Sequence, residues 1–240
     1  MENQLANKET WKNYWMNANY AKAPKHPIYE QYIPKVSPNG RFIEIGGFPG
    51  THACYFYKHV CRNVTLLDFY VDSDIIHSVE ERNQIPVGTI HTIEADFLKF
   101  STSEKYDIVF SYGFIEHFKN IEDIIKRHCD LLTEQGTLLI VLPNLLGING
   151  LIQYLCDRET WLIHNTKTMN RRLLRQIAAE LGLKDIQVEY TRKPMVWLEK
   201  KPGQGRAILR VMIKLLSYAM KLFPIKCKLL SPFIVLAARK

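Results

Sequence analysis

The sequence predicts an α/β protein built on a mostly parallel sheet with helices on both faces. Three observations carry this. Strand-like and helix-like stretches alternate along most of the 240 residues. The strand-like stretches are near-continuous apolar runs, as expected of strands covered on both sides. And the first of them, Phe42-Ile43-Glu44-Ile45, runs directly into Gly46-Gly47-Phe48-Pro49-Gly50 and then Thr51-His52-Ala53, a strand, a tight turn and a helix start. Glycine there lets the backbone approach a ligand closely, and the new helix offers unpaired N–H groups.

Taken in order, residues 8–23 place Trp11, Tyr14, Trp15 and Tyr20 at mainly helical intervals and stop before Pro24. Those rings either pack on the core or close over a ligand as a lid. Pro24, Pro27, Pro34 and Pro38, ending in Asn39-Gly40, make an extended linker into the first strand. The organisation expected is therefore an N-terminal helix and linker over 1–40 and a main domain over 41–240.

The main domain reads as strand 41–45, helix 50–60, strand 63–68, helix 72–83 and strand 89–94. Strand 106–111, helix 120–132, strand 137–142, helix 168–181 and strand 185–191 follow. Two segments interrupt the alternation. One is 143–167, after the fifth strand; the other is 200–230, in which residues 205–223 carry Arg206, Arg210, Lys214 and Lys221 as one basic stripe on an otherwise apolar helix. Residues 231–238 are apolar enough to be a last strand.

The net charge is +8, yet residues 200–240 hold ten Lys or Arg and no Asp or Glu, leaving 22 basic against 24 acidic residues elsewhere. The basicity belongs to the tail, which argues against a nucleic-acid partner. Cys54, Cys61, Cys129, Cys156 and Cys227 form no CxxC pair and have no histidine at zinc spacing, so neither a disulfide framework nor a metal is expected. With no signal-like N-terminus and no apolar run of roughly 18 residues, the expected location is the cytoplasm.

In an open α/β sheet, ligands lie beyond the carboxyl ends of the strands. Four successive ends here carry polar or glycine residues: Glu44 with its glycine turn, Asp68-Phe69, Asp96-Phe97 and Ser111-Tyr112-Gly113. Carboxylates accept from hydroxyls and amines, and Phe69, Tyr70 or Phe97 could stack on a flat ring. A dinucleotide fingerprint aligned on Gly47 and Gly50 needs glycine where Ile45 stands, and Pro49 lacks the N–H that would help hold a pyrophosphate. The pattern suits a ligand with hydroxyls, an amino group and positive charge.

The series Glu44-Ile45-Gly46-Gly47-Phe48-Pro49-Gly50, Asp68, Asp96-Phe97, Tyr106-Asp107-Ile108-Val109, Glu116-His117 and Gly136-Thr137-Leu138-Leu139-Ile140 resembles class I S-adenosylmethionine-dependent methyltransferases. Within them it looks most like the UbiG/UbiE-like small-molecule group. The resemblance implies a Rossmann-like seven-stranded sheet of order 3-2-1-4-5-7-6 whose last strand is antiparallel, with a helical insertion before it. It implies S-adenosyl-L-methionine as cofactor. Glu44, Gly46 and Gly50 would surround its methionine part, Asp68 the ribose hydroxyls and Asp96-Phe97 the adenine, with Gly47, Phe48, Phe69, Ser111 and Tyr112 as further expected cofactor contacts. Phe48 departs from the family's E-x-G-x-G-x-G, so either Gly47 makes the turn or Phe48 lies over the cofactor edge.

The activity implied is in-line methyl transfer to a hydroxyl of a small molecule, a saccharide or a lipid-linked saccharide. His117 and His164 are the candidate catalytic residues, because an alcohol needs its proton removed. In this fold an insertion at 143–167 covers the pocket mouth, so Asn144, Asn149 and Asn165 are candidate substrate contacts, as is Tyr14 of the N-terminal helix. The tail helix reads as a cap packing its broad apolar face on the domain, or as an interfacial helix making peripheral membrane contact at the inner face. The chain would act as monomer or homodimer. Two rivals are a nicotinamide- or nucleotide-sugar-dependent oxidoreductase, which lacks an evident Tyr-x-x-x-Lys pair, and a methyltransferase-like binding protein without activity.

Overall fold

The computed structural model describes residues 4, 5, 7–16, 22–191, 194–196, 198, 204–220, 222 and 225–240, with side chains from 207 onward in the last helix. Its strands are β1 (Arg41–Ile45), β2 (Asn63–Asp68), β3 (His91–Glu94), β4 (Tyr106–Tyr112), β5 (Leu132–Pro143), β6 (Lys184–Tyr190) and β7 (Phe233–Arg239). They form one sheet of order β3-β2-β1-β4-β5-β7-β6. Only β7 runs against its neighbours β5 and β6. The helices are α1 (Lys8–Met16), α2 (Thr51–His59), α3 (Ser73–Arg82), α4 (Ile121–Asp130), α5 (Ile148–Cys156), α6 (Arg158–Leu162), α7 (Arg171–Glu180) and α8 (Gln204–Met220).

Alternation within the strands builds two cores. Ile43, Ile45, Val109, Leu138 and Ile140 face α4 and α7, meeting Ile124, Ile125, Leu174 and Ile177. Phe42, Ile108, Phe110, Leu139 and Val141 face α2 and α3, meeting Ala53, Phe56, Ile76 and Val79. A period of two in a strand sends successive side chains to opposite layers, so strands apolar at nearly every position need both layers. Helix starts follow capping chemistry: Asp72, Asn120 and Asn170 accept N–H groups in the first turns of α3, α4 and α7.

The start of α2 is different. Gly50 precedes it at φ +92° with no side-chain cap. Glu44, reaching from β1, accepts the Ala53 N–H instead, at 2.9 Å. The carboxylate that ends the first strand thus caps the first helix.

The tail helix is described over Gln204–Met220 and packs differently from the expected cap. Of its side chains only Ile213, Ser217 and Met220 are buried, while Ile208, Val211, Met212 and Leu215 are exposed. The broad apolar face of α8 therefore does not pack on the domain; a narrow stripe does. The expected 8–23 helix is described over Lys8–Met16, so Tyr20 lies outside the described residues, as does Lys221. Among the described residues no helix is long and apolar enough to cross a membrane.

Candidate active site

A cavity of about 520 Å³ opens at the carboxyl ends of β1, β2 and β4. One end is lined by Glu44, Gly46, Gly47, Phe48, Asp68 and Phe69; the other by Glu116, His117, His164, Thr160 and Met195, with Trp11, Tyr14 and Trp15 of α1 alongside. Among the described residues none that lines it is Lys or Arg.

The first end is shaped by glycines. Gly46 takes φ +66°, so Gly46 rather than Gly47 makes the left-handed turn. Gly47 is needed for space: a Cβ there would stand 2.2 Å from Glu44 Cγ and 2.8 Å from Oε2. Phe48 is not in a left-handed conformation, so the family's glycine place tolerates a side chain. Its ring, 2 % exposed, meets Trp15 at 5.6 Å and Tyr70 at 5.5 Å edge-on, which puts it in the cavity wall.

Asp68 is buried and held by backbone, with Oδ2 accepting the Phe48 N–H at 3.0 Å and Oδ1 the Tyr70 N–H at 3.2 Å. Burial pushes its pKa up to about 6, against those hydrogen bonds. Glu44 is raised well above the usual carboxylate range, first by burial and then by Asp68, with the Ala53 N–H opposing. Two fixed acids stripped of water suit a ligand that donates hydrogen bonds or carries positive charge. Among the described residues no lysine or arginine of the lining is available to hold a pyrophosphate.

The second end contains a residue that the sequence did not single out. Glu116 is 1 % exposed, and neither carboxylate oxygen has a hydrogen-bond partner. Burial pushes its pKa up to about 8. Beside it, His117 Nδ1 pairs with Ile163 O at 2.9 Å and His164 Nδ1 with Thr160 O at 2.6 Å. A backbone carbonyl only accepts, so each Nδ1 carries the proton and each Nε2 is left with its lone pair. Burial, then His164, brings His117 down to about 3; burial lowers His164 as well. At neutral pH both rings are uncharged, so the 3.9 Å approach of His117 Nε2 to Glu116 Oε1 is not an ion pair.

Glu116, His117 and His164 are also the described residues that could hold a metal, their ligand atoms lying within 4.8 Å of one another. A tetrahedral shell with bonds of about 2.0–2.1 Å needs ligand atoms only about 3.3 Å apart. The observed set is wider and better matched to hydrogen-bonding an organic group. Sequence spacing gave no hint of this cluster, because His164 reaches it across 47 residues from the adjacent Glu116-His117 pair.

Several expected contacts lie elsewhere. Asp96 caps its own loop through the Leu98 N–H, and Phe97 is a core ring edge-on to Phe114 and His128; neither lines the cavity. Ser111 is fully buried outside the lining, whereas Tyr112 lines it and stacks on His52 at 4.6 Å. Gly50 starts α2 and does not line the cavity either.

Asn144 and Asn165 tie parts of the fold together, and none of the three asparagines lines the cavity. Asn144 donates to Lys228 O and Ser231 O, tying the end of β5 to the segment before β7. Asn165 donates to Phe118 O, and Asn149 is buried in α5. Tyr14 does line the cavity, as do Trp11, whose ring meets His117 at 4.7 Å, and Trp15. No side chain of α1 is fully buried, and Trp15, while lining the cavity, also packs against the core through Phe48.

A family model described as a methyltransferase domain matches residues 14–188. Among solved structures the chain is similar to phosphoethanolamine N-methyltransferase 2 of Haemonchus contortus in complex with S-adenosyl-L-methionine, at 18 % identity and a TM-score of 0.62 over 89 % of this chain. It spans about half of that protein, 51 %. A SAM-dependent methyltransferase from Archaeoglobus fulgidus matches at 17 % identity and a TM-score of 0.58, covering 98 % of this chain and 95 % of that one. Geranyl diphosphate C-methyltransferase from Streptomyces coelicolor A3(2) matches at 11 % identity and a TM-score of 0.62, covering 97 % of each. At these identities the likeness is one of fold. No curated protein matches the sequence significantly.

Proposed function

Since this chain belongs to the methyltransferase domain family, we propose that it is an S-adenosyl-L-methionine-dependent methyltransferase of the class I fold that methylates a hydroxyl of a small molecule, a saccharide or a lipid-linked saccharide. The observation that carries this reading is the cavity itself. One continuous space joins the buried acids Glu44 and Asp68 to Glu116, a buried carboxylate with two unpaired oxygens.

Glu44 and the Gly46-Gly47 turn would hold the amino-acid end of the cofactor and Asp68 its ribose hydroxyls. The acidic lining, without a lysine or arginine among the described residues, fits a sulfonium nucleoside better than a dinucleotide. Bound there, S-adenosyl-L-methionine supplies an electrophilic methyl group. The protein's own share is positioning, exclusion of water and proton transfer.

Glu116 is the group suited to take the acceptor's proton. Its pKa near 8 is high enough to accept a proton and low enough for the ionised form to be populated around neutral pH. With the cofactor's methyl group as electrophile, Glu116 would take the proton that the acceptor hydroxyl loses as it is methylated. His117, bonded to the Ile163 and Gly113 backbone, and His164, bonded to Thr160 O, are neutral rings placed to orient the acceptor. Helix α1 covers the site with Trp11 and Trp15. On this reading the chain works in the cytoplasm as monomer or homodimer, its five cysteines free.

Titration calorimetry with S-adenosyl-L-homocysteine and with NADH tests the assignment. One-to-one binding of the first and none of the second is expected. Binding of NADH alone would replace the reading by the oxidoreductase one.

A further inference from the structure

Helix α8 meets α5 through a small cluster set apart from both main cores. Val196, Leu198, Ile213 and Met220 are its buried members, with Ile148, Ile152, Cys156, Leu209 and Leu230 packed against them. Ser217 fixes the contact, accepting the Val196 N–H at 2.9 Å and donating to Val196 O at 2.7 Å. This uses only the stripe 209, 213, 217 and 220.

Much of the rest of the described helix is apolar and faces water. Ile208, Val211, Met212 and Leu215 are 59–64 % exposed. At 100° per residue they and Tyr218 span an arc of roughly 120°, centred opposite the buried stripe. The neighbouring segments continue the pattern, with Leu151 and Leu155 of α5 and with Ile225 and Leu229 after α8, all more than half exposed. Arg210 and Lys214 lie between the buried stripe and the exposed arc.

We propose that this surface seats in the interface of an anionic lipid membrane, with α8 lying flat. An exposed apolar arc flanked by cations is the build of a helix that lies in the headgroup boundary. Charge selects the occupant. Of the ten Lys or Arg in the last 41 residues, Lys226, Arg239 and Lys240 are paired with Glu189, Asp185 and Glu134, whereas Arg210 and Lys214 border the exposed arc with no acid on the helix beside them, so a second copy related by a twofold axis would set those cations against cations. Anionic headgroups neutralise them.

The docking surface also borders the cavity. Val196, bonded to Ser217, follows Met195 in the cavity wall, and α6 leads directly into Ile163 and His164. Resting on the methyl-transfer reading, this arrangement suits an amphiphilic acceptor whose hydroxyl enters the cavity while its apolar tail stays in the bilayer.

The test is flotation of the full chain with vesicles of phosphatidylcholine, with or without equal phosphatidylglycerol. Binding to the anionic vesicles at low salt is expected, with marked loss on pure phosphatidylcholine. Arg210→Ala and Lys214→Ala should each weaken it about fivefold. Ile208→Ser combined with Leu215→Ser should abolish it while leaving S-adenosyl-L-homocysteine binding and the far-ultraviolet spectrum unchanged. Absence of flotation at low salt, or a concentration-dependent dimer dispersed by the same double substitution, overturns the proposal. Flotation without S-adenosyl-L-homocysteine binding would keep the docking surface and refute the methyl-transfer reading.

Discussion

Replacing Gly47 by alanine probes how the first strand, the glycine turn and α2 are joined. The new Cβ would lie 2.2 Å from Glu44 Cγ and 2.3 Å from Cδ, against an ordinary carbon contact of about 3.5 Å. The carboxyl group must therefore move by roughly 1 Å, which takes Oε2 out of reach of the Ala53 N–H now at 2.9 Å. Leaving a buried acceptor and a buried donor unpaired costs about 1–3 kcal/mol. For a chain of this length that lowers the melting temperature by about 2–12 °C.

A double-mutant cycle isolates the cause. In the Glu44→Ala background the clash is gone, and Gly47→Ala should be neutral or stabilising by up to about 1 kcal/mol through the unfolded chain. Denaturant unfolding of the four variants measures this. Equal costs in both backgrounds would show that Glu44 is not what Gly47 makes room for.

Glu116→Gln should change the pH dependence of stability. With its folded pKa raised to about 8, the native carboxyl holds its proton where the unfolded chain has released it. Its contribution is full below the unfolded value and lost as pH rises through about 8. The wild type should lose melting temperature between pH 6 and 9.5 relative to the glutamine variant; parallel curves would mean that Glu116 ionises normally. His117, brought down to about 3, and His128, down to about 4, should stay neutral at pH 5 as Nδ1–H tautomers, readable by long-range proton–nitrogen NMR. Protonation of His117 near pH 6 would contradict its burial. Tyr29→Phe removes a fully buried hydroxyl paired with His52 Nδ1 at 2.7 Å and should cost about 1–2 kcal/mol in denaturant unfolding; no cost would mean that water replaces the bond.

The sheet was largely legible because its strands are buried on both faces. Residues 41–45 and 63–68 were read at the bounds the structure has, and 106–111 within one residue. The fifth strand was misjudged at its start, since Thr133, Glu134 and Gln135 look like a turn and yet continue β5 through an irregularity opposite β4. Strand order came from resemblance, as no local pattern encodes which strands are neighbours.

In the site, Glu44, Gly46, Gly47 and Asp68 were readable because a strand end fixes direction as well as identity. The asparagines were not. A polar residue in an apolar loop can serve a substrate or satisfy backbone, and only the partners of Asn144, at Lys228 and Ser231, decide. Phe97 looked like a ring platform but turns inward to Phe114. Glu116 was overlooked beside the more familiar His117, although a carboxylate between Ile115 and Phe118 was itself a signal. The tail helix showed its basic stripe in sequence; which side stays exposed depends on α5, which local periodicity does not reveal.

The central claim is that one cavity binds a sulfonium nucleoside through Glu44 and Asp68 and presents its methyl group toward Glu116. Calorimetric titration of S-adenosyl-L-homocysteine into wild type, Asp68→Ala and Glu116→Gln tests it most directly. The account predicts one-to-one binding to the wild type, loss of about tenfold or more in affinity for Asp68→Ala as a charge-assisted hydrogen bond worth roughly 1.5–3 kcal/mol disappears, and little change for Glu116→Gln. No binding to the wild type, or binding indifferent to Asp68, would contradict it.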